Sequence, residues 1–395
     1  MNGALPAEFS LMAACCRWPP SPAREAAVTA AASAPIDWEG FERVVARHRV
    51  VALAQDGLLR SGIAAPASVA GRLAGAAAAA RRRALAMARE TLRISEAFDA
   101  AGVPFLAVKG ASLAILAYGD VGIKQAGDID ILTAPESALA GRRVLERLGY
   151  SLTSPDWLNE DQFVRFMRLA RECAFTNQAL DMTVDLHWRL TENARLLQNV
   201  GVHSAAQEVE IGGARLQTLA NDPLFAFLSV HGTVDCWFRF KWLADVGALL
   251  NGLGETEIER LYRAAAGMGA GRGPAVTLLL CNRLLGLALP ASLIAEIRAD
   301  AMARALERSA LRCMTWGGGE REIPYLSSAT FRIALSQFFI APGGGYVWNE
   351  IRFKWNSPTD RARLKLPRSL GFLYHLLRVP LWLGRFGKRL FDRLA

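Results

Sequence analysis

Apolar positions along this chain change their spacing twice. Over residues 6–101 they recur at helical intervals. Phe41, Val44, Val45 and Val51 form one stripe behind Asp37, a side chain suited to an N-cap, and predict a single helix over 39–59. After the break at Pro66, the run AAAAARRRALAMARE predicts a long helix over 69–101, with Gly102 ending it. Between 102 and 220 the period shortens. Apolar runs at 103–108 and 128–132 read as strands on either side of a helix at 111–118 and a loop at 119–127. Pro135 opens a helix that reaches Leu148 before Gly149. A short strand at 150–152 and a helix at 161–169 follow, then alternating strands at 172–176 and 182–188 joined near Gln178. Residues 208–211 and 214–218 predict a hairpin about Gly212-Gly213. From 221 the helical period returns over 223–232, 237–250, 255–268, 274–287 and 291–313.

This order predicts an α+β fold, a small mixed sheet flanked by helices. Four regions follow: a helical N-terminal region (1–101), a sheet domain carrying the chemistry (102–220), a helical domain closing a cleft (221–345), and a tail (346–395). Composition agrees, with 52% hydrophobic and 21% charged residues, and excludes a disordered or fibrous chain. The longest apolar run, 275–290, is interrupted by Asn282 and Arg283 and falls short of the ~20 residues of a spanning helix.

Charge changes the picture in one place. Of the net +9, the tail contributes eleven Lys or Arg against three acids, so the rest is nearly neutral. The tail interleaves these with Trp348, Phe353, Trp355, Trp382 and other aromatics. Three readings stay open: packing as a helical subdomain, docking on an anionic membrane surface or a partner protein, and binding of nucleic acid, in that order. The run Arg81–Arg83 reads as a solvated helix face, with phosphate steering as the alternative. Six cysteines without metal-type spacing predict buried, reduced thiols. Residues 9–16 follow Glu8 instead of a basic leader and read as a helix start. Both point to a cytoplasmic protein, with peripheral membrane contact left to the tail.

Candidate chemistry concentrates in 105–132, FLAVKGASLAILAYGDVGIKQAGDIDIL. Asp128 and Asp130 lie two apart on a strand, so their side chains share a face suited to one or two cations, while Ile129 and Ile131 turn into a core. The Lys109-Gly110 turn before a helix lets backbone N–H groups face a phosphate. In VDLHW, Val184, Leu186 and Trp188 share one face and Asp185 and His187 the other, adding a third strand-borne carboxylate. Such a triad suits divalent cations bridging phosphates, and its third member can act as general base.

These residues resemble the DNA polymerase β-like nucleotidyltransferase superfamily, whose pattern is a glycine-serine turn on a helix, then DxD, then a distant Asp. More closely, VKGASLAILAY, GDIDIL, VDLHWRL and HGTVDCWFRFKWLADVGALL resemble the uncharacterised nucleotidyltransferases, sometimes encoded beside peptide-tailoring or polysaccharide genes. The resemblance implies Asp128, Asp130 and Asp185 as catalytic metal ligands for Mg²⁺ or Mn²⁺. It implies Lys109, Gly110 and Ser112 as triphosphate contacts. It also implies a nucleotide contact at Lys124, where relatives commonly have arginine; lysine keeps the charge without bidentate recognition. His187 would orient the acceptor, support a metal ligand or be structural. His231 reads as structural, and Lys241, Trp242 and Asp245 as lining or packing the helical side of the cleft. The implied reaction moves a nucleoside monophosphate from an NTP to a hydroxyl of a peptide, protein, sugar or small molecule. A tRNA-modifying toxin-like enzyme and a non-catalytic scaffold are the alternatives.

Overall fold

The computed structural model describes residues 5–356 except Ala126, together with Pro358 and Leu373. Five helices lead the chain: α1 (Ala7–Cys15), α2 (Pro22–Ala32), α3 (Trp38–His48), α4 (Val51–Arg60) and α5 (Ala67–Ala100). The sheet region runs β1 (Leu106–Ala107), α6 (Ala111–Tyr118), β2 (Ile129–Leu132), α7 (Ala138–Arg147), β3 (Ser151–Ser154), α8 (Glu160–Met167), β4 (Glu172–Asn177), β5 (Met182–His187), β6 (Ala206–Ile211) and β7 (Ala214–Leu219). Helices then return as α9 (Asn221–Val234), α10 (Phe240–Leu250), α11 (Glu255–Gly267), α12 (Gly273–Leu280), α13 (Ala291–Ala299), α14 (Ala301–Met314), α15 (Ser328–Ser336) and α16 (Gly344–Trp355). The fold is α+β, as expected.

Two predicted helices divide, each for a local reason. The stretch 39–59 breaks because Arg49 adopts the left-handed conformation (φ 55°, ψ 50°) and caps α3, with Val50 N–H donating back to the Val45 carbonyl. The stretch 291–313 breaks at Asp300, whose carboxylate accepts from the Met302 and Ala303 N–H groups at 2.8 and 3.1 Å and caps α14. The predicted strand 103–108 pairs over only Leu106–Ala107, and the helix expected to reach 287 ends in a π-turn at Cys281–Leu285. Beyond Trp355 the tail expected to pack, dock or bind lies almost entirely outside the described residues. Its first helix, α16, exposes Trp348 and Trp355.

The main sheet has the order β1-β2-β5-β4-β3, with β2 and β5 parallel and the other pairs antiparallel. β6 and β7 form a separate hairpin. One face of the sheet buries Ile129, Ile131, Phe175, Val184 and Leu186 against the C-terminal half of α5, through Met87, Ile94 and Phe98, and against Val144 and Leu145 of α7. The N-terminal half of α5, through Val69, Leu73 and Ala77, belongs to a second core shared by α1, α3 and α4 with α9, α10, α12 and α14. At 34 residues, α5 extends about 51 Å and links the two cores. All six cysteines are buried and unpaired. Among the described residues, no helix is long and apolar enough to cross a membrane.

Candidate active site

Strand alternation sets the site. Ile129 and Ile131 point into the core, which turns Asp130 to the opposite face, and β5 repeats the pattern with Val184 and Leu186 inward. The parallel register places Asp130 beside Asp185 and Leu132 beside His187. The antiparallel β4 then sets Glu172 opposite His187 and the small Ala174 opposite Asp185. Asp130, Asp185, His187 and Glu172 therefore share one face on three adjacent strands. Oxygen and nitrogen atoms of Asp130, Asp185 and His187 lie within 4.8 Å of one another.

Charges alternate along this face. Lys109 Nζ lies 2.7 Å from Asp130 Oδ1, and His187 Nε2 lies 3.2 Å from the same oxygen. His187 Nδ1 is 2.8 Å from Glu172 Oε2, and Arg171 donates to Glu172 Oε1 at 3.0 Å. Burial opposes ionisation of Asp130, but Lys109 and His187 override it and hold the carboxyl well below the usual range. Burial likewise works against Lys109, which Asp130 and Asp128 outweigh, so the ammonium is retained. For Asp185 burial and the neighbouring Asp130 act together and push its carboxyl up to about 7. Burial lowers His187, yet Glu172 and Asp130 carry it to about 8. Asp185 lacks the cation that Asp130 has in Lys109, and two carboxylates beside an imidazole on rigid strands fit a divalent cation.

Gly110 is the hinge of the turn before α6. Its φ of 63° and ψ of −127° suit glycine alone, and a Cβ there would meet nothing within 4 Å. Ser112 is fully buried, and its hydroxyl donates to the Ala107 carbonyl at 2.8 Å and the Lys109 carbonyl at 3.0 Å. It fixes the turn and does not face the cleft. Lys124 is also buried, paired with Asp245 of α10, whose other oxygen accepts from Tyr118 Oη at 2.9 Å. That pair ties the loop before β2 to the helical half. Asp128 sits just ahead of β2 and lines the cleft beside Asp130, outside the 4.8 Å group.

Above these groups opens a cleft of about 200 Å³, with the sheet on one side and α9 and α10 on the other. Lys109, Gly110, Lys124, Asp128 and Asp130 face Arg49, His231, Lys241, Trp242 and Asp245 across it. Burial together with Lys124 and Arg49 brings Lys241 down to about 8, a mark of crowded positive charge. His231 packs edge-on against Trp242 with ring centroids 5.1 Å apart, and burial with Lys109 and Arg171 keeps it neutral. Of the aromatic group at 237–242, Trp237 and Phe240 are core, whereas Phe238 and Trp242 reach the cleft. In the arginine run, Arg81 pairs with Asp120 at 2.8 Å and Arg83 with Asp181 at 3.3 Å.

Sequence reasoning missed Glu172. The signal was present: the 172–176 and 182–188 strands joined by a short turn pair residues whose numbers sum to a constant, so 172 falls opposite 187 once 177 meets 182.

Residues 34–286, more than half of the 395, match the family described as uncharacterised nucleotidyltransferase. No curated protein and no solved structure matches the chain. The family match covers both walls of the cleft and every strand of the sheet, so the protein belongs to the uncharacterised nucleotidyltransferases.

Proposed function

We propose that the protein transfers a nucleoside monophosphate from an NTP to a hydroxyl group of a peptide, protein, sugar or small molecule, with Mg²⁺ or Mn²⁺ as cofactor. The observation that carries this reading is the pairing of Asp130, which lines a cationic cleft, with Asp185 on the adjacent parallel strand. In the reaction the acceptor oxygen bonds to the α-phosphorus, the bond from that phosphorus to the pyrophosphate oxygen breaks, and the hydroxyl proton leaves to a base. Asp130 and Asp185, with Asp128 beside them, hold the cation, which when bound neutralises phosphate charge and favours the ionised acceptor.

Lys109 reaches the phosphates from the turn, Gly110 lets the backbone approach them, and Lys241 and Arg49 supply charge from the opposite wall. Lys124 acts mainly through Asp245, fixing that wall, and Ser112 acts through the turn.

Thermal unfolding with each NTP and Mg²⁺ or Mn²⁺ tests the reading without knowledge of the acceptor. A nucleotide at about 100 times its Kd adds about 2.7 kcal/mol of stability, and Asp130→Ala should abolish that gain. If no nucleotide stabilises the native protein, or if Asp130→Ala keeps the full effect, the reading falls. Mass spectrometry of products from labelled NTPs then identifies the acceptor.

A further inference from the structure

Resting on that metal-dependent reading, we infer that His187 is itself a metal ligand, oriented by Glu172, and that the centre prefers a divalent transition-metal ion such as Mn²⁺ to Mg²⁺. The argument begins with what surrounds the imidazole. His187 is 2% exposed, and both ring nitrogens face carboxylates, Asp130 on one side and Glu172 on the other. A histidine that only fills a core has no need of two acids. In the metal-free protein Nε2 is the ring nitrogen hydrogen-bonded to Asp130, while Nδ1 lies 2.8 Å from Glu172 Oε2; an ion that takes the place of the Nε2 proton leaves the ring held by Glu172, as a carboxylate orients a ligating histidine.

Distances support closure on one ion. The donor atoms of Asp130, Asp185 and His187 spread over no more than 4.8 Å. Bonds of about 2.1 Å place trans ligands about 4.2 Å apart, so side-chain shifts of roughly half an ångström complete the set. All three stand on β2 and β5, whose register holds them in place. A cation already occupies part of this space: the Lys109 ammonium, 2.7 Å from Asp130 Oδ1. A metal ion must displace it, and the displaced ammonium then lies beside the phosphate cleft, where Gly110 continues the wall.

The nitrogen donor sets ion preference. Mg²⁺ favours an all-oxygen shell and sheds water reluctantly, whereas imidazole is accepted by Mn²⁺ and more strongly by the later first-row ions.

Electron-spin-echo spectroscopy of Mn²⁺ bound to the full-length protein without nucleotide reads the ligand directly. The expected result is a ¹⁴N modulation that becomes the ¹⁵N pattern in protein grown with ¹⁵N-histidine. It persists in His231→Gln, the histidine that lines the cleft, and disappears in His187→Gln. Glu172→Gln should weaken Mn²⁺ binding by about 10- to 100-fold with the thermal midpoint little changed. Mg²⁺ should displace Mn²⁺ only at about 100-fold excess or more.

Bound Mn²⁺ without histidine modulation overturns the inference while leaving the metal-dependent reading intact, as does modulation lost only in His231→Gln. Equal affinity for the two ions overturns the stated preference. Failure of the native protein to bind Mn²⁺ at millimolar concentration overturns the underlying reading. If His187→Gln does not fold, the ¹⁵N-histidine comparison and His231→Gln still decide between the two histidines.

Discussion

At the residue scale, the two carboxylates paired across β2 and β5 have opposite electrostatic roles. Asp130 is satisfied by Lys109 and His187, whereas Asp185 gains no comparable cation and stays near 7. Two predictions follow from that asymmetry. Lys109→Met removes the ammonium that competes for Asp130, so Mn²⁺ binding without nucleotide should tighten by about tenfold, about 1.4 kcal/mol, while NTP binding weakens. Titration of the free Mn²⁺ signal measures the first and thermal shift with NTP the second. Weaker metal binding would show that Lys109 does not compete for the metal position.

Asp185→Asn should stabilise the metal-free protein, and the sign fixes its pH window. The native carboxyl holds its proton to about 7, against 3.8 ordinarily. In the unfolded chain it ionises first, so native stability falls as pH rises between those values. The gain of the variant should therefore be near zero below pH 4 and greatest above pH 7, at about 1–3 kcal/mol after allowance for its partial exposure. Urea unfolding at pH 5 and pH 8 tests it; an equal gain at both would contradict the charge argument.

At the element scale, the turn into α6 and the long α5 make opposite demands on glycine. Gly110 takes a positive φ with open space around it, so Gly110→Ala should cost about 1–2 kcal/mol from backbone strain alone and impair NTP binding. Gly75 lies in the exposed interior of α5 with no neighbour within 4 Å, so Gly75→Ala should add about 0.5–1 kcal/mol. Chemical denaturation of both variants checks the contrast. The same elements show what was legible in the sequence. The expected helix 111–118 coincides with α6, because an unbroken apolar run between two glycines leaves little choice of boundary. The strands carrying Asp130, Asp185 and His187 were legible from alternation, since one buried face specifies period and direction. The breaks at Arg49 and Asp300 were not, because both lie within continuing helical propensity and are decided by how each pair of segments turns to pack within one shared core. The internal partners of Ser112 and Lys124 were hidden for a similar reason: a hydroxyl and an ammonium are equally suited to a phosphate or to internal groups. The folded chain gives Ser112 the carbonyls of Ala107 and Lys109, and Lys124 the carboxylate of Asp245.

At the scale of the whole molecule, the helices on either side of the sheet region in sequence share one core, and His48 stands at their junction. Its ring is fully buried between Phe9 and Phe240, with centroids 5.5 and 6.2 Å away. Nδ1 accepts from the Phe240 N–H of α10 at 3.0 Å, so at least one ring nitrogen must stay unprotonated. The adjacent Arg47 reaches across to the Cys313 carbonyl at 2.8 Å, joining α3 to α14. Burial, with Arg47 and then Arg239, drives the His48 pKa well below 6.5. A base depressed in the folded state contributes stability that is present above its unfolded pKa and is lost as pH falls below it. Asp185 and Asp235, both raised, act in the opposite direction over part of this window, so the total slope is a poor readout. The difference between the native protein and His48→Gln isolates the imidazole. Native stability relative to the variant should fall by about 1.4 kcal/mol per pH unit below 6.5, amounting to about 2 kcal/mol at pH 5. Urea unfolding of both proteins from pH 7.5 to pH 5 measures it. A constant difference would mean that His48 accepts a proton inside the folded core, and that the junction between the two sets of helices does not depend on its neutrality.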